Sequence, residues 1–246
     1  MIERATSFGS ETGSYEKGRP EYPAEAVSWL LEPVREGSRT VIDIGAGTGK
    51  LTRAVLALGA TTVTAVDPDA QMLEALRDKT PDAATLVGTA EELPLPDASA
   101  DAATLGQAWH WVDPMAASAE IGRVLRPGGV LGLIWNVRDE RVDWVRRLSG
   151  IMHGSPAEQM IADDGVAVHE PFGALEERRW EWSRAMTRAE LHAMAASRSY
   201  VITAPEEEKA RIVRGMDDLF DELGLGEGGT LVMPYVTAAY RALRGS

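Results

Sequence analysis

A doubly wound α/β domain on a mostly parallel sheet is what this sequence predicts, and three observations predict it. Strand-like and helix-like stretches alternate from residue 39 to residue 135, the pattern of a parallel sheet covered by helices on both faces. A glycine-rich turn, Gly45-Ala46-Gly47-Thr48-Gly49, joins the first apolar strand to an amphipathic helix. A second strand then ends in Asp67, 20 positions beyond Gly47, the spacing at which a carboxylate meets the ribose of a nucleotide held on such a turn. At 246 residues the chain fits one such domain with an elaboration. Residues 1–38 read as an N-terminal cover and helix, 39–138 as the nucleotide-binding core, and 139–246 as an insertion, a lid and the last two strands.

The elements follow in order. Residues 1–38 begin polar and rich in Gly and Ser, then carry Tyr15-Glu16-Lys17-Gly18-Arg19-Pro20-Glu21-Tyr22-Pro23. Ala24 to Leu31 is expected to form a short amphipathic helix with Pro23 near its start. Strands are expected at 39–44, 61–66, 84–88, 101–106 and 129–135, and helices at 49–59, 69–78 and 113–125. Within the first unit, Val41-Ile42-Asp43-Ile44 runs into the turn, and Lys50 to Leu58 spaces Leu and Val at helical intervals. Glycines at 45, 47 and 49 permit positive φ, and the N–H groups and positive dipole end of the following helix face whatever sits there. A dinucleotide fingerprint wants Gly or Ala where this chain has Lys50, which argues against NAD or FAD. Arg126-Pro127-Gly128-Gly129 predicts a turn before the fifth strand. Beyond residue 139, a helix over Asp143–Met152, an irregular insertion at 153–174 and a strand over Glu177–Ser183 are expected. Helices near 187–197 and 205–223 and a last strand at 230–240 complete the chain.

Composition narrows the function. Lys and Arg number 25 against 38 Asp and Glu, a formal charge of −13, with no basic run to form a patch; nucleic acid is not an expected partner. No apolar run approaches the roughly 20 residues needed to span a bilayer, so no membrane association is expected, and Met1 to Arg4 begins no signal peptide. A cytoplasmic protein, monomeric or homodimeric, follows. There is no cysteine, and the four histidines at 110, 153, 169 and 192 lack the i, i+4 spacing of a metal site, so no metal is expected.

Asp-x-Gly-x-Gly-x-Gly from Asp43 to Gly49 resembles motif I of the class I S-adenosylmethionine-dependent methyltransferases, and neighbouring stretches extend the likeness to the type 11 group that includes trans-aconitate methyltransferase. Tyr15 to Pro23 resembles that group's Tyr-x-x-x-Arg-Pro-x-Tyr-Pro segment. The resemblance implies that the segment covers the cofactor, that Arg19 grips its methionyl carboxylate, as guanidinium does bidentately, and that Tyr15 and Tyr22 stand beside the acceptor. Gly88-Thr89-Ala90-Glu91-Glu92-Leu93-Pro94 resembles the family's Gly-Asp-Ala-Glu-x-Leu-Pro loop. Thr89 replaces the usual Asp, so the adenine contact falls to Thr89, the Ala90 backbone or the Glu91 carboxylate. Arg123-Val124-Leu125-Arg126-Pro127-Gly128-Gly129 also matches the family pattern. The implied cofactor set comprises Arg19, Asp43, Gly45, Ala46 and Gly47 with Asp67, Pro68 and Met72, then Thr89, Ala90, Glu91, Gln107 and Ala108. Met72 packs on adenine or serves as a plain core methionine.

The resemblance implies a seven-stranded sheet and methyl transfer from S-adenosylmethionine to a small molecule, with S-adenosylhomocysteine as the other product and no covalent residue required. Trp109 and Trp111 flank His110 at the sheet's carboxyl edge, and aromatic walls of this kind bury an apolar acceptor and exclude water. Trp135 and Asn136, with Arg138, are expected to face the same cleft, and Arg198 lies where related enzymes build a lid, a helix end being the alternative. His110 is the candidate catalytic residue, as a base, an orienting hydrogen-bonding group or a structural residue. Rival functions are a non-catalytic S-adenosylmethionine-binding protein, a methyltransferase acting on tRNA or protein, and an NAD-dependent reductase.

Overall fold

Alternation along the strands decides which helices cover which face. In a computed structural model, which describes residues 18–34, 39–60, 62–153, 160–161 and 165–245, β1 (Thr40–Ile44), β2 (Thr62–Asp67), β3 (Ala84–Val87), β4 (Ala100–Gly106), β5 (Leu125–Arg138), β6 (Glu176–Thr187) and β7 (Thr230–Leu243) form one sheet. Its order is β3-β2-β1-β4-β5-β7-β6. Strands β1 to β5 pair in parallel, whereas β7 is antiparallel to both β5 and β6. This is the mostly parallel, seven-stranded arrangement that the sequence predicts.

Val41, Val63, Ala102 and Val130 point to one face and pack with α1 (Ala24–Leu31) and α2 (Lys50–Ala57). Their neighbours Ile42, Ala103 and Leu131 point to the other, where Ile121 and Val124 of α4 (Pro114–Val124) join them, as the two-residue period of a strand requires. Between these elements, α3 (Ala70–Lys79) sets Leu73 and Leu76 against Ala65 of β2. Asp69 caps its start by accepting from the backbone N–H groups of Gln71 and Met72, worth about 1 kcal/mol for a cap of this kind.

A separate apolar cluster unites α5 (Asp143–Met152), α6 (Arg188–Ala196), α7 (Ser199–Ile202) and α8 (Glu206–Glu222) with Met186, Met233 and Tyr235 of the two late strands. It lies beyond the carboxyl end of β5, where Arg138 pairs with Tyr235, the same end of the parallel strands as the glycine turn. Gly18 ties the N-terminal segment to this layer, since a Cβ there would lie 2.6 Å from the carbonyl oxygen of Ala193.

Two expectations need correction. Residues 126–129 do not precede β5 but bulge within it: Ala100 pairs with Leu125 and Ala102 with Val130. Arg126 pins the bulge through Asp101 at 2.6 Å and the Ser99 carbonyl at 2.9 Å. The late strands also run past their expected ends, because continuous β6–β7 pairing from Glu176↔Arg241 to Thr187↔Thr230 holds them extended, whatever their side-chain alternation.

Candidate active site

The strand order reverses between β1 and β4, and a sheet of this type binds its ligand at the carboxyl ends of the strands flanking that point. The glycine turn occupies that position. Gly45, Gly47 and Gly49 take φ of +65°, +54° and +87°, and a Cβ on Gly45 would lie 2.7 Å from the Cβ of Ala108, so only glycine fits there. Two acids brace the turn. Asp43 is fully buried, its carboxylate accepting from the hydroxyls of Thr52 at 2.5 Å and Thr104 at 3.1 Å. Asp67 accepts from the backbone N–H of Gly47 and of Asp69, both at 2.8 Å. Burial pushes Asp43 up to about 7 and Asp67 up to about 6, with the hydrogen bonds opposing the rise. Motif spacing does not single out Thr52 or Thr104; the signal for them is a polar residue at an otherwise apolar helix or strand position.

A pocket opens above the turn, with Arg19, Tyr22, Asp43, Gly45, Ala46 and Gln107 among its walls. Gln107 bends into it at a φ of +58° and donates from Nε2 to the Asn136 carbonyl at 2.9 Å. Pro68 and the buried Met72 follow directly from Asp67. In the loop after β3, Ala90 is buried in the core, Thr89 is half-buried, and Glu91 accepts from the backbone N–H of Asp113 at 2.9 Å, which ties that loop to the start of α4.

The N-terminal segment is held on this pocket. Lys50 reaches Glu21 at 2.8 Å, Arg19 donates to the Ser197 carbonyl at 3.3 Å, and the Tyr22 hydroxyl lies where a Cβ on Gly106 would stand, 2.6 Å away. Tyr15 lies outside the described residues. Asn136, expected to face the acceptor, is a clamp instead. Its amide donates to the Glu21 carbonyl at 3.1 Å and accepts from the Thr237 hydroxyl at 2.6 Å, so long-range pairing consumes its polar atoms. Arg138 likewise turns to Ser149 of α5 at 3.2 Å.

The aromatic group divides. Trp109–Trp111 forms a single 3₁₀ turn, which sends neighbouring side chains in different directions. Trp109 is 1% exposed and donates to the Ala167 carbonyl at 3.0 Å. It is a core residue rather than the pocket wall its spacing predicts, because burial of the indole and an acceptor for its N–H are both found inward. Trp111 is half-buried, with its ring 4.8 Å from that of His110. Trp135 is fully buried and donates from Nε1 to His110 Nδ1 at 3.4 Å. It therefore stands behind the histidine.

That hydrogen bond makes Nδ1 an acceptor, so the neutral ring carries its proton on Nε2. Burial and the positive charges of Arg19 and Arg198 push the imidazole down to about 3. At neutral pH His110 is a hydrogen-bond donor through Nε2, poorly matched to the work of a general base. Arg198 is itself only 7% exposed, at the junction of α6 and α7.

The comparisons with known proteins agree with this architecture. A family model described as a methyltransferase domain matches residues 42–133. An uncharacterised methyltransferase of Mycobacterium tuberculosis is 46% identical over 239 residues, which span 96% of this chain and 95% of that protein. This chain belongs to the class I methyltransferases. A methyltransferase-like protein of Schizosaccharomyces pombe is 34% identical across 87% of this chain and 85% of its own length. Among solved structures, a protein of Anaeromyxobacter dehalogenans described as a type II methyltransferase is 26% identical, with a TM-score of 0.66 over 92% of this chain and 97% of that one. The methyltransferase therefore has its strand order, glycine turn and family in agreement.

Proposed function

We propose that this methyltransferase moves a methyl group from S-adenosylmethionine to a small-molecule acceptor and releases S-adenosylhomocysteine. The observation that carries the reading is the pocket above the glycine turn, braced by Asp43 and Asp67 and walled in part by Arg19. Its residues fit the cofactor. Each oxygen of Asp67 accepts one N–H and keeps a second lone pair for a ribose hydroxyl. The Arg19 guanidinium offers a fork to the methionyl carboxylate, and Met72 suits an adenine face.

When bound, the cofactor supplies a methyl group on a sulfonium centre, already activated toward a nucleophile. The chain's part is then positioning and exclusion of water. Gln107 is fixed by Asn136, Trp111 stands beside His110, and His110 donates from Nε2 to orient the acceptor. A charge of −13 disfavours a polyanionic substrate such as tRNA, which supports a small acceptor.

Calorimetric titration with S-adenosylmethionine and with NADH, then measurement of S-adenosylhomocysteine release from pools of small molecules, tRNA and proteins, tests the reading. Cofactor binding with release from a small-molecule pool is the expected result. Release confined to tRNA or protein overturns the acceptor class, and binding with no release from any pool points to a non-catalytic binder.

A further inference from the structure

We propose that Arg198 anchors a carboxylate of the methyl acceptor, so that the acceptor is a small organic anion; this rests on the methyl-transfer reading above. Arg198 is 93% buried, being 7% exposed, and among the described residues its guanidinium has no hydrogen-bond or ion-pair partner, its Nε being wholly covered. Proteins almost never bury an arginine without a partner, because removing the charge from water is costly.

The surroundings sharpen the point. Other arginines of the same layer are satisfied: Arg184 pairs with Glu190 at 2.8 Å and Arg188 with Asp217 at 2.9 Å. In a chain with 38 acidic residues, a counter-charge for Arg198 was within easy reach of substitution. A ligand that brings its own negative charge accounts for its omission.

The location adjoins Arg19, which walls the pocket above the glycine turn. Ser197, whose carbonyl receives Arg19, immediately precedes Arg198. Arg198 is near enough for its charge to act on both His110 and the buried Tyr235 of β7. The charged side chains acting on His110 are Arg19 and Arg198, both positive. A planar guanidinium matches a carboxylate through two parallel N–H···O bonds. The proposal concerns recognition, whichever atom of the acceptor takes the methyl group.

The acceptor need not be identified for the test. Thermal melts of the full chain with S-adenosylhomocysteine are run against a panel of mono-, di- and tricarboxylates, their amides, and inorganic phosphate. At least one carboxylate should raise the melting temperature of the wild type, its amide should not, and Arg198→Met should abolish the effect. Arg198→Lys, which keeps the charge without the fork, should weaken it.

Without any ligand, Arg198→Met should melt about 2–4 °C above the wild type for a chain of this size, because an unpaired buried charge is gone. A fall instead would mean that Arg198 is structural and would overturn the proposal. So would stabilisation by phosphate alone, by amides as well as acids, or by no carboxylate at all. S-adenosylmethionine affinity of Arg198→Met should stay within twofold of wild type. A large loss there would reassign the residue to the cofactor, whereas failure of the wild type to bind the cofactor would sink the methyl-transfer reading and leave the carboxylate melts to be judged separately.

Discussion

The glycine-turn half of the molecule and the helical layer over β6 and β7 treat buried charge in opposite ways. In the first, Asp43, Asp67 and Lys50 each have named partners within 3.1 Å. In the second, Arg198 is buried without one among the described residues. The half proposed to receive the cofactor is largely completed in advance, since both oxygens of Asp43 and both of Asp67 already accept a hydrogen bond. The half proposed to receive the acceptor leaves its recognition group open, at a cost in stability. Binding of the cofactor and binding of the acceptor should therefore respond to separate substitutions.

The largest expected break is Gly45→Val. A β-branched side chain at a φ of +65°, facing the Ala108 Cβ at 2.7 Å, is strained by about 1–3 kcal/mol in backbone alone. S-adenosylmethionine affinity should fall at least ~10²-fold by calorimetry while circular dichroism keeps its helical signal, an outcome excluded if the variant binds like the wild type.

Next comes Asp67→Ala, which removes the acceptor shared by the Gly47 and Asp69 N–H groups and the one proposed for ribose. A loss of about 1.5–3 kcal/mol in cofactor binding is expected. The sign with pH follows from the carboxyl standing raised to about 6: the charged acceptor predominates above that value and is lost below it. Affinity of the wild type should thus weaken several-fold between pH 7 and pH 5, and Asp67→Asn should flatten that slope.

Gly18→Val probes the strap between the two halves. With the Ala193 carbonyl 2.6 Å from the site of an added Cβ, overpacking of about 1–3 kcal/mol should lift the N-terminal segment from α6. Limited proteolysis should then cut between Gly18 and Pro23 faster than in the wild type; equal cleavage would place the strap's anchorage elsewhere.

The smallest effect belongs to His110. As a donor held at Nε2, its replacement by Ala should cost about 1 kcal/mol of acceptor positioning, a several-fold fall in kcat/KM with cofactor affinity unchanged. Because the imidazole is pushed down to about 3, it is neutral throughout the range where the enzyme is assayed. The pH profiles of wild type and His110→Gln should therefore run parallel from pH 5.5 to 8. An acid limb near 6.5 that disappears in the variant would restore the general-base role.

What the sequence determined by itself is the part encoded by short-range rules. The two-residue period sorted Val41 from Ile42 onto opposite faces, glycine spacing predicted the turn, and the strand-end position of Asp67 predicted the carboxylate beneath it, because backbone sterics and strand geometry act over a few residues. Tertiary structure decided the rest. Trp109, expected on the wall of an acceptor pocket, turned into the core, where Ala167, 58 positions away, offered its carbonyl. The tautomer of His110 depends on Trp135 across 25 positions, and Asn136 became a clamp through Glu21 and Thr237, 115 and 101 positions away. Whether a buried arginine has a partner is likewise a property of everything folded around it. Desolvation and hydrogen-bond pairing depend on which distant groups arrive, and local sequence carries no record of that arrival.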